Sequence, residues 1–490
     1  MRFYTNFYSK GDTVFIRGYD NGRRVVDRID YSPTLYVPDN ASLKSPPKWR
    51  TIHGEPVKPI PLGSIKEARD FVSRYEEVDN FRIYGSTNWA YACLNENYGK
   101  EFDPDQVKVA NIDIEVGSEE GFPDPELANQ PVTAITMSVK GHYYVFGVGE
   151  YDKKGQDNVS YLDCRGERRL LDMFLDFWER TDADIITGWN VDGFDIPYLI
   201  NRITKLLGEK EAQRLAPAKW IQERTFKGNY GKESKEYTLV GLAVLDYLQL
   251  YKKFTYTQQE SYRLDHIAYV ELGEKKLDYS EMETLHQLYQ LDYQKFIDYN
   301  IKDVELVDRL EDKMRLIEQA MTIAYDAKVN YGDVFTQVRM WDTLIHNYLL
   351  EHGIVIPPKT VKDKDSKYEG AYVKDPQTGL HKWVMSFDLN SLYPHLIIQY
   401  NISPDTFIPD MKEDITVDDI IEMKMTDQWD DAIDKDKCLS ANGFYYRKDF
   451  QGFLPEMMEM MYNERKQYKK KMIEAKKELE EVNRQLKELT

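Results

Sequence analysis

The first hundred residues alternate short apolar and polar runs, and turn chemistry separates them. Gly-Asp, Asp-Asn-Gly and Pro-Asp-Asn punctuate FYSKGDTVFIRGYDNGRRVVDRIDYSPTLYVPDN. Such alternation between turn signals predicts strands, so residues 1–106 read as a β-rich domain. From Val107 the pattern changes. A strand-like run, VKVANIDIEV, is followed by AITMSV and HYYVFGV, and then RRLLDMFLDFWER takes up helical spacing, an order that predicts an α/β domain. A helix-rich stretch runs from about Tyr289 to Leu350. After it comes the polar connector IPPKTVKDKDSK, and WVMSFDL restarts as a strand ending at Asp388, which puts a domain boundary near residue 365.

The last segment has a third period. Apolar residues fall at Tyr468, Met472, Ala475, Leu479, Val482, Leu486 and Leu489, in steps of four and three with charged residues between them. That is the seam of a heptad helix. It suits either a surface helix packed on its own domain or a helix that receives a partner.

Composition narrows the class. Hydrophobic residues make up 42% of the 490, yet no stretch approaches the roughly 20 uninterrupted apolar residues of a membrane span. Cys93, Cys164 and Cys438 are too scattered for a CxxC zinc site or a disulfide framework, and MRFYTNFYSKGD lacks the apolar core of a secretory signal. A soluble cytoplasmic protein is expected. The formal charge of −19 argues against nucleic acid only at first sight, because an acidic exterior can coexist with a basic track in a cleft. No GxxxxGK[ST] loop and no HExxH signature occurs.

Chemistry enters with the carboxylates. In ANIDIEV, Asp113 and Glu115 stand two apart on a predicted strand and leave the same face. Alone, such a pair is more commonly an exposed edge. In IITGWNVDGFDIPYL, Asn190, Phe194 and Asp195 lie between apolar flanks, and a buried carboxylate is costly unless paired or bound to metal. In FIDYNIKDVELV, Tyr299 and Asp303 are four apart and share a helix face. Carboxylates are natural ligands for Mg²⁺ or Mn²⁺, and two such ions roughly 3.5–4 Å apart suit phosphodiester hydrolysis. Asp303 could join that site while the Tyr299 hydroxyl holds the attacking water. Further on, Asp388 opens DLNSLYP, KYEGAYV precedes it, and MMYNERKQYKKKMIEAKK carries seven basic residues from Arg465 to Lys477.

DIE, NxxxFD and YxxxD in this order resemble the three exonuclease motifs of the DnaQ/RNase H-like fold as family B DNA polymerases carry them, and VLDYLQLYKKFTYTQQESYRLDHIA and DYNIKDVELVDRL resemble the T-even bacteriophage branch. DLNSLYP is similar to that family's motif A, and KYEGAYV to its YxGG/A element. The resemblance implies an α/β and α+β multidomain chain: a β-rich N-terminal domain at 1–106 completed by about 341–364, a 3′-to-5′ exonuclease domain at 107–340, a partial palm at 365–450 and the first fingers helix at 451–490. It implies Asp113, Glu115, Asp195 and Asp303 as metal-site acids with two Mg²⁺ or Mn²⁺ ions, Tyr299 as the orienter of water, and Asn190 and Phe194 on single-stranded DNA. In the polymerase half it implies Asp388 and the Leu389 carbonyl as metal ligands. Ser391, Leu392 and Tyr393 would contact the incoming dNTP, with the Tyr393 ring beneath the deoxyribose, and Arg465 and Lys469 would grip its triphosphate. Tyr368, Gly370 and Ala371 would follow the primer-template. His395 stands where the family usually has Ser.

The 490 residues contain neither the KxxxNSxYG helix nor the DTDS turn of that family. The expectation is therefore an N-terminal polymerase subunit, from a split or truncated enzyme in the cytoplasm of an infected bacterial host. It would work with a second polypeptide carrying motifs B and C, through which a sliding clamp would be reached. The rival readings are a stand-alone exonuclease with a vestigial palm and a nucleic-acid-binding regulator without chemistry.

Overall fold

The computed structural model describes residues 1–39, 47–76, 78, 81–117, 119, 121–227, 233–277, 285–358, 373–415, 418–419, 422 and 436–489. Contacts divide the chain into two compact units, Met1–Val37 with Pro59–Glu351 and Pro38–Lys58 with His352–Thr490. The expected boundary between 106 and 107 falls inside the first unit, and the one near 365 lies outside the described residues.

The first unit opens with an antiparallel sheet of β1 (Arg2–Lys10), β2 (Thr13–Asp20) and β3 (Arg23–Asp30). The β-rich expectation misses two helices, Ile65–Tyr75 and Trp89–Asn97. The first is capped reciprocally: the Glu67 amide donates to the Ser64 hydroxyl (3.1 Å), and the Glu67 carboxylate accepts from the Gly63 amide (2.7 Å). Phe3, Tyr4, Val14 and Ile16 share one core with Leu245, Leu306 and Tyr325, which is why the N-terminal strands do not separate from the remainder of the unit.

A mixed six-stranded sheet carries the centre of this unit. In chain order its strands are β4 (Val109–Val116), β5 (Val132–Val139), β6 (His142–Gly147), β7 (Val159–Asp163), β8 (Ile185–Thr187) and β9 (Ala243–Val244), and their spatial order is β7-β6-β5-β4-β8-β9. Register assigns the faces. Asp113 lies opposite Thr136, which lies opposite Val145, whereas Ile112 lies opposite Met137, then Tyr144, then Ser160. Helix α1 (Glu167–Thr181) buries Leu170, Phe174 and Trp178 against the Ile112 and Ile114 face. A later, longer helix, α2 (Tyr293–Met314), packs Phe296, Ile297 and Val304 with Ala134 and Val145 on the other.

Among the described residues the second unit contains a three-stranded sheet of Phe407–Lys412, Phe444–Arg447 and Lys437–Leu439, and the helices Leu392–Gln399 and Phe453–Leu489. The heptad segment is one continuous helix with Phe453 at its start. Tyr468, Met472, Leu479, Val482 and Leu486 are all exposed on it. One expectation fails: WVMSFDL forms no strand. A strand needs a neighbouring edge to satisfy its backbone, and among the described residues none pairs with this segment, so Val384, Met385 and Phe387 stay in solvent. No described helix is long and apolar enough to cross a membrane.

Candidate functional site

Period-two alternation turns Asp113 and Glu115 toward α2, and one helical turn within α2 separates Tyr299 from Asp303. Asp292 starts this helix by accepting from the Lys295 amide (3.0 Å). The result is a convergence of carboxylates: ligand oxygens of Asp113, Glu115 and Asp303 all lie within 4.8 Å of one another. Asp195 stands outside this trio. It heads the Asp195–Leu206 helix, where the N-terminal dipole favours an anion, and its Oδ1 accepts from the Ile114 amide (3.0 Å) between the two strand acids.

The cluster is electrostatically strained. Burial first, and then the Asp303 charge, push Asp113 up to about 7. Glu115 and Asp195 are driven well above the ordinary carboxylate range by burial and then by the Asp113 charge. Burial also raises Asp303, and Lys276 opposes that rise. Lys276 Nζ donates to Asp303 Oδ2 (2.6 Å) and to the Tyr299 hydroxyl (3.1 Å). Burial works against the Lys276 charge, yet the adjacent carboxylate outweighs it and raises the ammonium pKa. Asn300 completes the floor by donating from Nδ2 to Asp113 Oδ2 (2.7 Å).

The donor set fits a hard divalent cation. Three carboxylates face one point, and Asp303 Oδ1 is buried without a hydrogen-bond partner among the described residues. Above them opens a cavity of about 1240 Å³. Its wall carries Phe194 and Phe122, whose rings are 5.7 Å apart, and Phe122 is 89% exposed. Asn190 also lines it, in left-handed conformation (φ 65°), its amide donating to Asp246 Oδ1 (3.2 Å). Gly188 lets this loop press on β4, because a β-carbon there would collide with the Ile112 carbonyl.

Sequence reasoning missed Lys276, Asn300 and Phe122. Asn300 lies within DYNIKD, one position after Tyr299, so the motif itself points to it. Nothing in EKKLD or EEGFPD marks the other two, which reach the site only through the fold.

In the second unit Asp388 is exposed and stands three residues before Ser391 (φ 56°), the turn that opens the Leu392–Gln399 helix. Leu389, Leu392 and Tyr393 are exposed as well. Arg465 reaches this turn, its guanidinium donating to the Ser391 hydroxyl (3.1 Å), and Lys469, a turn further along the same helix, is exposed. His395 packs edge-on against Tyr462, with ring centroids 4.6 Å apart. Tyr368, Gly370 and Ala371 lie outside the described residues.

Two family models match the chain: DNA polymerase family B, exonuclease domain, over residues 74–267, and DNA polymerase family B over residues 333–488. Asp113, Glu115 and Asp195 fall in the first match, and Asp388 with Arg465 in the second. Tyr299 and Asp303 lie between the two. The chain is 34% identical to the DNA-directed DNA polymerase of Escherichia phage RB69, an alignment covering 97% of this chain and 54% of that protein. It is 32% identical to the polymerase of Enterobacteria phage T4, covering 98% and 55%. With the DNA polymerase delta catalytic subunit of Schizosaccharomyces pombe it shares 27% identity over 74% of this chain and 34% of that one. The chain therefore spans about half the length of the phage polymerases it matches.

Proposed function

The chain belongs to DNA polymerase family B, and from that premise we propose that residues 107–340 are its 3′-to-5′ proofreading exonuclease, trimming single-stranded DNA ends. The observation that carries this reading is the convergence of three carboxylates at the floor of an open cavity whose wall carries Phe194 and the exposed Phe122. Mg²⁺ or Mn²⁺ held by Asp113, Glu115 and Asp303 would supply a nucleophilic water at neutral pH and stabilise the leaving oxygen. Asp195 holds the strand acids in place through the Ile114 amide. The Tyr299 hydroxyl, fixed by Lys276, orients the attacking water. Phe122 and Phe194 offer faces on which the terminal bases stack, a sequence-tolerant contact that suits proofreading.

The expected product is a ladder from a 5′-labelled single strand, shortened one nucleotide at a time in Mg²⁺ and untouched in EDTA. Digestion that continued in EDTA would remove the metal assignment. Phe122→Ala should raise KM for single-stranded DNA by about 5-fold, the lower end of what one stacked base contributes, with little change in kcat. An unchanged KM would exclude Phe122 from base contact.

We further propose that Asp388, Ser391 and Arg465 form half of a polymerase site. The Arg465–Ser391 bond supports this by setting a guanidinium beside the turn after Asp388. A triphosphate there would meet Arg465 and Lys469, and the ring of Tyr393 would exclude a 2′-hydroxyl. Motifs B and C do not occur within these 490 residues, and the setting would be the cytoplasm of an infected bacterium, in keeping with the similarity to phage polymerases. Primer extension should be absent with these 490 residues alone and should appear when a polypeptide bearing KxxxNSxYG and DTDS is added. Templated extension by the 490 residues alone would sink the half-site reading while leaving the exonuclease untouched.

A further inference from the structure

A second concave surface lies on the opposite face of the six-stranded sheet. Tyr144, Phe146 and Leu162 follow the register of Ile112 and Ile114, the face that turns away from Asp113 and Glu115. Together with Met173 and Phe177 of α1 they floor a groove of about 780 Å³. Tyr144 and Phe177 are in contact, with ring centroids 4.3 Å apart, and both are only half-buried.

The charge around this apolar floor runs against the rest of the molecule. The chain carries −19, yet the groove is rimmed by Lys108, Lys140 and Arg180 and by a single acid, Asp176. Asp176 is already engaged, pairing with Arg214 at 2.6 Å. Among the described residues Arg180 donates only to the Asp176 backbone carbonyl (3.1 Å), and Lys108 Nζ to the Thr181 carbonyl (3.3 Å). Among the described residues no carboxylate pairs with Lys140 or Arg180. Lys140 is the exposed tip of the β5–β6 hairpin (φ 53°). The remaining field at the rim is therefore positive over a floor that rewards apolar burial.

We propose that this groove docks a partner protein through an acidic peptide segment bearing apolar anchors, on the face of the sheet away from the carboxylates. The anchors would lie on Tyr144, Leu162 and Phe177, and the acids would meet Lys140 and Arg180. Charge complementarity selects this occupant: the rim cations Lys140 and Arg180 have no carboxylate partner among the described residues, and acids of the segment would supply one while its apolar anchors cover the floor. Nucleic acid fits less well, because the two exposed cations give few phosphate contacts and the floor buries apolar groups in place of a track of stacked bases. Seated there, a partner leaves the nuclease cavity open.

The test is fluorescence polarisation with the full chain and a fluorescein-labelled peptide of about ten residues in which Asp alternates with Leu and Phe. Saturable binding with Kd of about 1–100 μM is expected, weakening as salt rises. Lys140→Glu with Arg180→Glu, both exposed, should weaken it at least tenfold while leaving the thermal midpoint and single-strand digestion unchanged. The same peptide with Lys in place of Asp should not bind. Absence of saturable binding by the parent, or undiminished binding by the charge-reversed variant, overturns the proposal. Displacement of the peptide by oligo(dT) overturns it too, and reassigns the groove to nucleic acid.

Discussion

Asp113→Ala combined with Glu115→Ala is expected to reduce 3′-to-5′ digestion of single-stranded DNA by at least about 10³-fold, to the limit of detection, without destabilising the fold. The activity loss follows from the donor count: two of the three carboxylates that converge on one point are gone, and Asp303 alone cannot fix a divalent ion. The stability argument has a definite sign. A carboxyl whose pKa is raised by folding contributes stability that is complete below its unfolded pKa and is lost as pH rises through the folded one. Burial and like charge place Asp113 at about 7 and Glu115 well above its ordinary range. In the absence of metal, the parent therefore loses stability as pH climbs from about 4 through 7, and the double variant, which keeps Asp195 and Asp303 but not the two strand acids, loses less. Denaturant midpoints measured at pH 5 and pH 8 in EDTA should converge at the lower pH and favour the variant at the higher one. A variant that digests DNA normally removes the carboxylate site. One that is inactive but less stable than the parent at pH 8 shows that these acids hold the fold together, and the activity loss would then carry no mechanistic weight.

The legibility of this site in the sequence follows the range of the interactions involved. Asp113 with Glu115 and Tyr299 with Asp303 are short-range patterns, set by strand and helix periods, and the structure puts each pair on one face. Their convergence needs the pairing of β4 with β5 and the packing of α2 across it, which motif order suggests only through family resemblance. Lys276 is contributed by a segment 27 residues before Asp303 with no periodicity of its own, so its role is visible only in space. The missed Ile65–Tyr75 helix has a readable cap in Ser64 and Glu67, but the alternation upstream carries the β expectation too far. WVMSFDL shows the opposite error. Its composition suits a strand, but extended backbone becomes a strand only beside a partner edge, and composition does not report one. Asp195 is intermediate: its burial is legible in the apolar flanks, whereas its bond to the Ile114 amide, which sets it apart from the other three acids, is not.

Lys276→Met should be the most damaging single substitution near the site that removes no carboxylate. Lys276 is the only cation whose hydrogen bonds, among the described residues, reach the acids, and it joins two of the functional groups through Asp303 Oδ2 and the Tyr299 hydroxyl. Removing one partner of a buried ion pair leaves the other uncompensated, a cost of about 3–5 kcal/mol, and the side chain of Asp303 is only 6% exposed. The metal-free variant is thus expected to be less stable than the parent at pH 8. Lowering the pH should narrow the gap, because protonation of the raised Asp303 carboxyl relieves the same uncompensated charge. A divalent cation should relieve it as well: at about 100 times its Kd a ligand adds about 2.7 kcal/mol, so Mn²⁺ should raise the thermal midpoint of the variant by more than that of the parent. Activity should not recover with stability. With metal saturating, Tyr299 still lacks the donor that fixes its hydroxyl, and a fall in kcat of about 10²-fold is expected, the usual scale for losing one oriented polar group at a reaction centre. Two measurements separate these effects, thermal midpoints with and without Mn²⁺ and kcat at saturating Mn²⁺. Full recovery of kcat by metal would reduce Lys276 to a stand-in for the cation. A variant as stable as the parent in EDTA would show that the carboxylates are neutral before any cation reaches them.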